Sequence, residues 1–324
     1  MDRAPLDIAV GVLVDDHDRL LIARRRADTP GAGYWEFPGG KREPGESVAA
    51  CLSRELAEEI GVTDLTSRSL IRFSHDRGPR PVRLHVARID NWTGEPAGQE
   101  GQQVRWCAQN DLSDVELLPA TNVILAALNL PPLYIITPSI GRGRSARQSW
   151  FDALDRALRA HVGDGTKAFV RLRQPGLDDD DYADLAKRVL EHARRQQARV
   201  LLDRSVALVE RLSADGLHCS TRRAQRMDKR PIADNYWFGV STHSADELTH
   251  AAAINADFAT LSPVAATETH SEARPLGWPG FEDARGEAAL PVYALGGMRP
   301  DDLGAARDHY AQGVAGIRGF WPGS

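Results

Sequence analysis

Four of the five glutamates between Gly40 and Val62, namely Glu46, Glu55, Glu58 and Glu59, stand at a telling spacing in the string GKREPGESVAACLSRELAEEIGV. Glu55 and Glu59 are four residues apart, so on a helix they stand ~40° from each other around the axis. Glu58 adjoins both, and the three carboxylates form one acidic edge. Carboxylates held this close repel one another unless a cation sits among them. Hard oxygen donors of this kind suit Mg2+ or Mn2+. An ion held there could neutralise a diphosphate, polarise its P–O bond and activate water. Arg54, next to Glu55, is placed to orient a glutamate through a bidentate pair. Gly39 and Gly40 let the backbone come close, and a carbonyl there could join the metal shell.

The helix that must carry these groups is legible. From Ser47 to Ile60, Val48, Leu52, Leu56 and Ile60 fall on one stripe. Gly45-Glu46-Ser47 marks a start and Gly61 a stop. Further on, Asn122–Leu130 reads as a helix ending at Pro131-Pro132, which cannot continue it. A new rhythm follows. Short apolar runs at Tyr134–Thr137, Ala168–Arg173, Val200–Asp203, Gly216–Cys219, Trp237–Ser241, Phe258–Ser262, Val292–Leu295 and Gly313–Ile317 read as strands. Helical segments separate them at Ser149–Val162, Asp181–Gln197, Ser205–Ser213, Ser244–Asn255 and Arg299–His309. That alternation predicts a (β/α)8 barrel, with a doubly wound open sheet as the alternative. The fold class is therefore α/β in two domains, 1–130 and 131–324. Too little sequence follows the eighth strand for an eighth barrel helix. Residues of the N-terminal domain, or another chain in a homo-oligomer, are expected to cover that gap.

The 324 residues exceed one ordinary domain, and 42% hydrophobic content suffices for two cores. A net charge of -5 gives no basic footprint for polymeric nucleic acid. Three widely spaced cysteines, Cys51, Cys107 and Cys219, point to reduced thiols and a cytoplasmic setting. No secretory leader pattern and no membrane-length apolar run is visible.

The Gly40–Val62 string fills every fixed position of the Nudix box, and the chain from Ile8 to about Leu130 resembles the MutT-type 8-oxo-dGTP diphosphatases. The resemblance runs through IAVGVLV, LLIARRRAD, WEFPGGK, WTGEP, EGQ and LLPATNVILAAL. It implies a Nudix α/β/α sandwich with a mixed sheet that hydrolyses a nucleoside triphosphate to monophosphate and diphosphate. The catalytic residues would be Arg54, Glu55 and Glu58. Gly39, Glu55, Glu58, Glu59 and Glu100 would hold Mg2+, with Mn2+ an alternative. Arg25 and Phe37 would contact the nucleotide. The family's Pro-Ala-Asn string is here Pro119-Ala120-Thr121-Asn122, so Asn122 stands one position late for reading the base. The loop from Phe73 has Pro79 where an acidic residue is expected, with Asp76 near.

The second half resembles thiamine phosphate synthase and its relative TenI, through PLYIITP, DGLHCS, FGVSTHS, ADFATLSPVAATETH and VYALGGM. Its departures bear on activity. The lysine of Gln-x-Arg-x-Lys is lost in Arg171-Leu172-Arg173-Gln174-Pro175. Asp203 remains, but Arg223 stands where a second metal-binding aspartate is expected. His270 replaces a phosphate lysine, and TenI's histidine falls near Pro263. A phosphate-binding set of Ser241, Thr267, Thr269, Gly296, Gly297 and Arg318 survives, so the resemblance implies a degenerate barrel that binds a thiamine-related phosphate. Two activities follow: sanitation of 8-oxo-dGTP, or hydrolysis of thiamine-type diphosphates beside a barrel that binds a related product. A barrel serving only for binding or dimerisation is the non-enzymatic reading.

Overall fold

The computed structural model describes residues 5–75, 81–162, 167–266 and 274–321. The chain divides into two compact units, Met1–Asn129 and Leu130–Ser324.

In the first unit, β1 (Leu6–Leu13) pairs in parallel with β6 (Val82–Thr93) and antiparallel with β4 (Gly39–Lys41). With β5 (Thr63–His75) they form a mixed sheet in the order β4-β1-β6-β5. A second sheet has the order β3-β2-β7, from β2 (Arg19–Arg24), β3 (Trp35–Glu36) and β7 (Val104–Ala108). Successive strand residues face opposite sides. Ala9 and Leu13 of β1 therefore join a core with α1 (Val48–Ile60), while Val10 and Val12 join one with α2 (Ala120–Asn129). The unit is an α/β/α sandwich.

Helix α1 begins where Ser47 Oγ accepts the Ala50 N–H at 3.1 Å, and ends at Gly61 in the left-handed region. It buries Cys51, Leu52, Leu56 and Ile60, each large apolar side chain contributing about 1.5–3 kcal/mol. That stripe turns the glutamates of the opposite edge toward β4.

In the second unit, eight parallel strands close in the order β10-β11-β12-β13-β14-β15-β8-β9, so the barrel prevails over the open sheet. They are β8 (Leu133–Ile136), β9 (Ala168–Leu172), β10 (Arg199–Leu202), β11 (Gly216–Cys219), β12 (Trp237–Thr242), β13 (Phe258–Leu261), β14 (Val292–Leu295) and β15 (Gly313–Gly316). Helices α3 (Arg144–His161) to α9 (Leu303–Asp308) fill the seven intervals between them. Two of these helices were not read from the sequence. Helix α6 (Thr221–Ala224) is a single turn, and α8 (Gly277–Arg285) carries Pro279 and two glycines. Proline is tolerated there because first-turn N–H groups need no helical acceptor. Among the described residues a 3-10 turn, Arg318–Phe320, follows β15 in place of an eighth helix. Phe320 and Trp321 are buried, their rings 5.5 Å from His161 and 5.3 Å from Trp150 of α3. Among the described residues no helix is long and apolar enough to cross a membrane.

Candidate active site

Arg54 is the organising group of the first unit. Its Nε and Nη2 bond the two oxygens of Glu46 at 3.0 and 3.1 Å, a bidentate pair. Its Nη1 donates to Glu55 Oε1 at 2.9 Å and Glu58 Oε2 at 3.0 Å, and Nη2 also reaches the Lys41 carbonyl at 3.1 Å. The Arg54 hydrogen bonds hold the Glu46 carboxyl down at about 2. Glu55 is raised above the usual range, by burial first, against the pull of Arg54.

Glu59 points the other way. Its Oε2 accepts the Gly39 N–H of β4 at 2.9 Å. Burial pushes its carboxyl up to about 7, and Glu36, Glu55 and Glu100 push in the same direction. Gln102 ties the Glu100 loop to the helix: its side-chain nitrogen reaches the Glu59 carbonyl at 2.8 Å, and its oxygen accepts the Glu100 N–H at 2.9 Å. Gly40 supplies the last constraint. A Cβ there would lie 2.1 Å from Glu55 Oε2.

The geometry thus gathers Gly39, Gly40, Glu46, Arg54, Glu55, Glu58 and Glu59, with Glu100 in electrostatic reach. Among the described residues no three acidic, histidine or cysteine side chains converge closely enough to hold an ion as they stand. Arg54 claims Glu46, Glu55 and Glu58, and the Gly39 N–H claims Glu59. The donor set is nonetheless all oxygen, and burial first, with Glu36, Glu55 and Glu100 adding to it, disfavours the charged form of Glu59, a balance that a nearby cation would reverse.

Of the other residues singled out in the sequence, Arg25 bonds Glu36 Oε1 at 2.5 Å and the Pro30 carbonyl at 2.8 Å. Phe37 is buried in the core under α2. Thr121 is buried at the start of α2, whereas Asn122, one position on, is exposed. Asp76 and Pro79 lie outside the described residues. Glu36 was missed. It links Arg25 to the field at Glu59, and its signal was its place beside Phe37, on the opposite face of a strand leading into Gly39-Gly40.

In the barrel, Ser241 Oγ lies 2.8 Å from His218 Nε2 and 3.3 Å from Arg171 Nη1. Gly296 and Gly297 have φ of 101° and 71°, and a Cβ on either would meet the 263–266 loop at 2.8 Å. Loop packing therefore requires both glycines whatever else they do. Arg318 sits in the 3-10 turn after β15. Thr267, Thr269 and His270 lie outside the described residues.

The NUDIX domain family matches residues 5–128. The family described as thiamine monophosphate synthase matches residues 133–320. The 8-oxo-dGTP diphosphatase of Escherichia coli is 35% identical over 123 residues, covering 38% of this chain and 95% of that protein. A provisionally named second thiamine-phosphate synthase of Aquifex aeolicus is 30% identical over 193 residues, covering 60% of this chain and 99% of that one. The chain belongs to both families. A CTP pyrophosphohydrolase of Escherichia coli is 31% identical over 118 residues, 36% of this chain and 87% of its own length, and so also resembles the Nudix unit. The Nudix unit is a hydrolase of phosphoric anhydrides, and the synthase-family barrel follows it in the same polypeptide.

The raised carboxyl of Glu59 in the Nudix unit has a consequence for stability. Its folded value, about 7, exceeds the ordinary 4.5. Between those pH values the native state holds a proton that the unfolded chain has released. Stability through this group is therefore lost as pH rises across the window, by about 3 kcal/mol in all. A bound cation favours the charged form. The rise in Tm on adding Mg2+ should be larger at pH 8 than at pH 5, and Glu59→Gln should flatten that difference. Thermal melts of both proteins, with and without Mg2+, check it. An equal Mg2+ effect at both pH values would count against it.

Proposed function

We propose that the Nudix unit hydrolyses 8-oxo-dGTP to its monophosphate and diphosphate. The observation that carries the reading is the gathering of Glu55, Glu58 and Glu59 of one helix against the Gly39–Lys41 backbone, through Arg54, which also pairs with Glu46, and through the Gly39 N–H. Glu55, Glu58, Glu59, Glu100 and the Gly39 carbonyl would hold Mg2+, or Mn2+ in its place. When bound, the ion screens the substrate's phosphates and acidifies the attacking water. Arg54 holds Glu55 and Glu58 in register with β4. Water attacks phosphorus, and one of Glu55, Glu58 and Glu59 accepts its proton. Arg25, Phe37 and Asn122 are assigned to the nucleotide. The 35% identity to a named 8-oxo-dGTP diphosphatase supports the choice of base. The barrel is assigned a phosphate-binding role, with one metal-type aspartate replaced by Arg223.

A second reading takes thiamine-type diphosphates as substrates, and the fusion to a thiamine monophosphate synthase barrel favours it. A panel of 8-oxo-dGTP, dGTP, CTP and thiamine diphosphate with Mg2+ separates the two. We expect kcat/KM for 8-oxo-dGTP to exceed that for dGTP at least about tenfold, a difference of about 1.4 kcal/mol in transition-state binding. Faster turnover of thiamine diphosphate than of any nucleotide would replace the first reading with the second.

A further inference from the structure

Alternate side chains of the barrel strands face inward, and their last inward positions ring the C-terminal mouth. Phe169, Leu201, Phe258 and Tyr293 belong to the barrel's inner core, so Arg171, Asp203, Thr260 and Leu295 stand one level above them. The ring has two halves. Ile136, Leu295 and Ile317 make an apolar arc. Arg171, Asp203, His218, Ser241 and Thr260 make a polar one.

The polar arc is buried and incompletely satisfied. Arg171 is 8% exposed and Thr260 0% exposed. Neither Arg171 Nε nor Thr260 Oγ1 has a hydrogen-bond partner among the described residues. Buried polar atoms in native proteins are satisfied by protein, water or ligand. His218 lies between Tyr134 Oη at 2.9 Å and Ser241 Oγ at 2.8 Å. Burial, with Arg171 nearby, drives its basicity well down, so it stays neutral.

Among the described residues the charge of the polar arc and its neighbours is positive. Asp203 is the single carboxylate of the arc, and its oxygen lies 3.7 Å from Arg171 Nη2. Half-buried Arg173 is close enough to depress the basicity of Arg171, and it forms no ion pair among the described residues. Arg204 and Arg223 add two more guanidinium groups, holding the carbonyls of Gln174 and Leu177 and of Arg204, and Arg204 Nε also lies 3.8 Å from the exposed Asp179 Oδ1. A divalent cation does not fit. Among the described residues of the polar arc it would find one carboxylate, already facing a guanidinium, among like charges.

We propose that Arg171, seconded by Arg173, is the fixed positive charge of a ligand site in the barrel mouth that takes an oxyanion carrying an apolar body and needs no divalent ion. The proposal rests on the binding role assigned to the barrel above, and adds the ligand's charge, the residues that meet it and the independence from metal. Guanidinium groups recognise phosphate and carboxylate alike. The apolar arc meets the ligand's body.

The test titrates the metal-stripped full chain with inorganic phosphate, and in parallel with acetate, by isothermal calorimetry. Saturable binding of either anion is expected, and the tighter one names the class. Arg171→Gln should weaken it at least about tenfold, the effect of losing one charge-assisted bond. Arg173→Gln should also weaken it and, being half-buried, decides the matter if the first variant does not fold. Asp203→Asn should tighten binding, because it removes a competing carboxylate. Binding that appears only with Mg2+, that is lost in Asp203→Asn, or that ignores both arginine changes would overturn the proposal, as would none at all. Turnover of 8-oxo-dGTP by the wild-type chain tests the Nudix reading separately, so either can fail alone.

Discussion

Glu55→Gln should lower turnover of the best nucleotide substrate by about a thousandfold or more, with the fold intact. The substitution keeps the size of the side chain and an oxygen that can accept from Arg54 Nη1, now 2.9 Å away. What it removes is the negative charge. Glu55 is half-buried, and its carboxyl is already raised by that burial and by Glu58 and Glu46. Losing a charge from such a cluster relieves repulsion, so the melting temperature without metal should hold or rise. Activity and stability therefore move in different directions, which a general loss of structure cannot produce. Steady-state kinetics with Mg2+ and a thermal melt of the same preparation suffice. Turnover within tenfold of wild type would remove Glu55 from the reaction.

Gly40→Ala should cost about a hundredfold in kcat while leaving the sandwich folded. The added methyl would sit 2.1 Å from Glu55 Oε2 and 2.2 Å from its Cδ. Strand β4 cannot retreat easily, since Gly40 pairs with Ala9 of central β1 and Gly39 with Val10. The Glu55 side chain must move, and with it the carboxylate that Arg54 holds in common with Glu58. A misplacement of about 1 Å in a positioned group can cost a hundredfold. Because a side chain and not the strand gives way, destabilisation should stay within about 1–3 kcal/mol, the range for overpacking. Wild-type kcat in this variant would show that Glu55 need not stand where the structure holds it.

The three adjacent glutamates could be read from the sequence because a helix converts spacing into direction. Glu55, Glu58 and Glu59 share an edge wherever α1 packs, and the Val48-Leu52-Leu56-Ile60 stripe states which edge faces away. The barrel strands were equally plain, since buried parallel strands read as short apolar runs between amphipathic helices. Helix α8 was not, because Gly277, Pro279 and Gly280 argue against a helix that tertiary burial of Phe281 stabilises.

What the sequence alone determined was the kind of chemistry and its scaffold: a carboxylate edge on one helix, followed by eight strand-and-helix repeats. Tertiary structure decided which charges meet. Arg54 gripping Glu46, Glu55 and Glu58 together, Glu36 pressing on Glu59, and Arg171 facing Asp203 across two strands all depend on loop paths and strand register. Local periodicity sets the direction of a side chain on its own element. It carries no information about the distance to a side chain on another, and electrostatic energy depends on that distance.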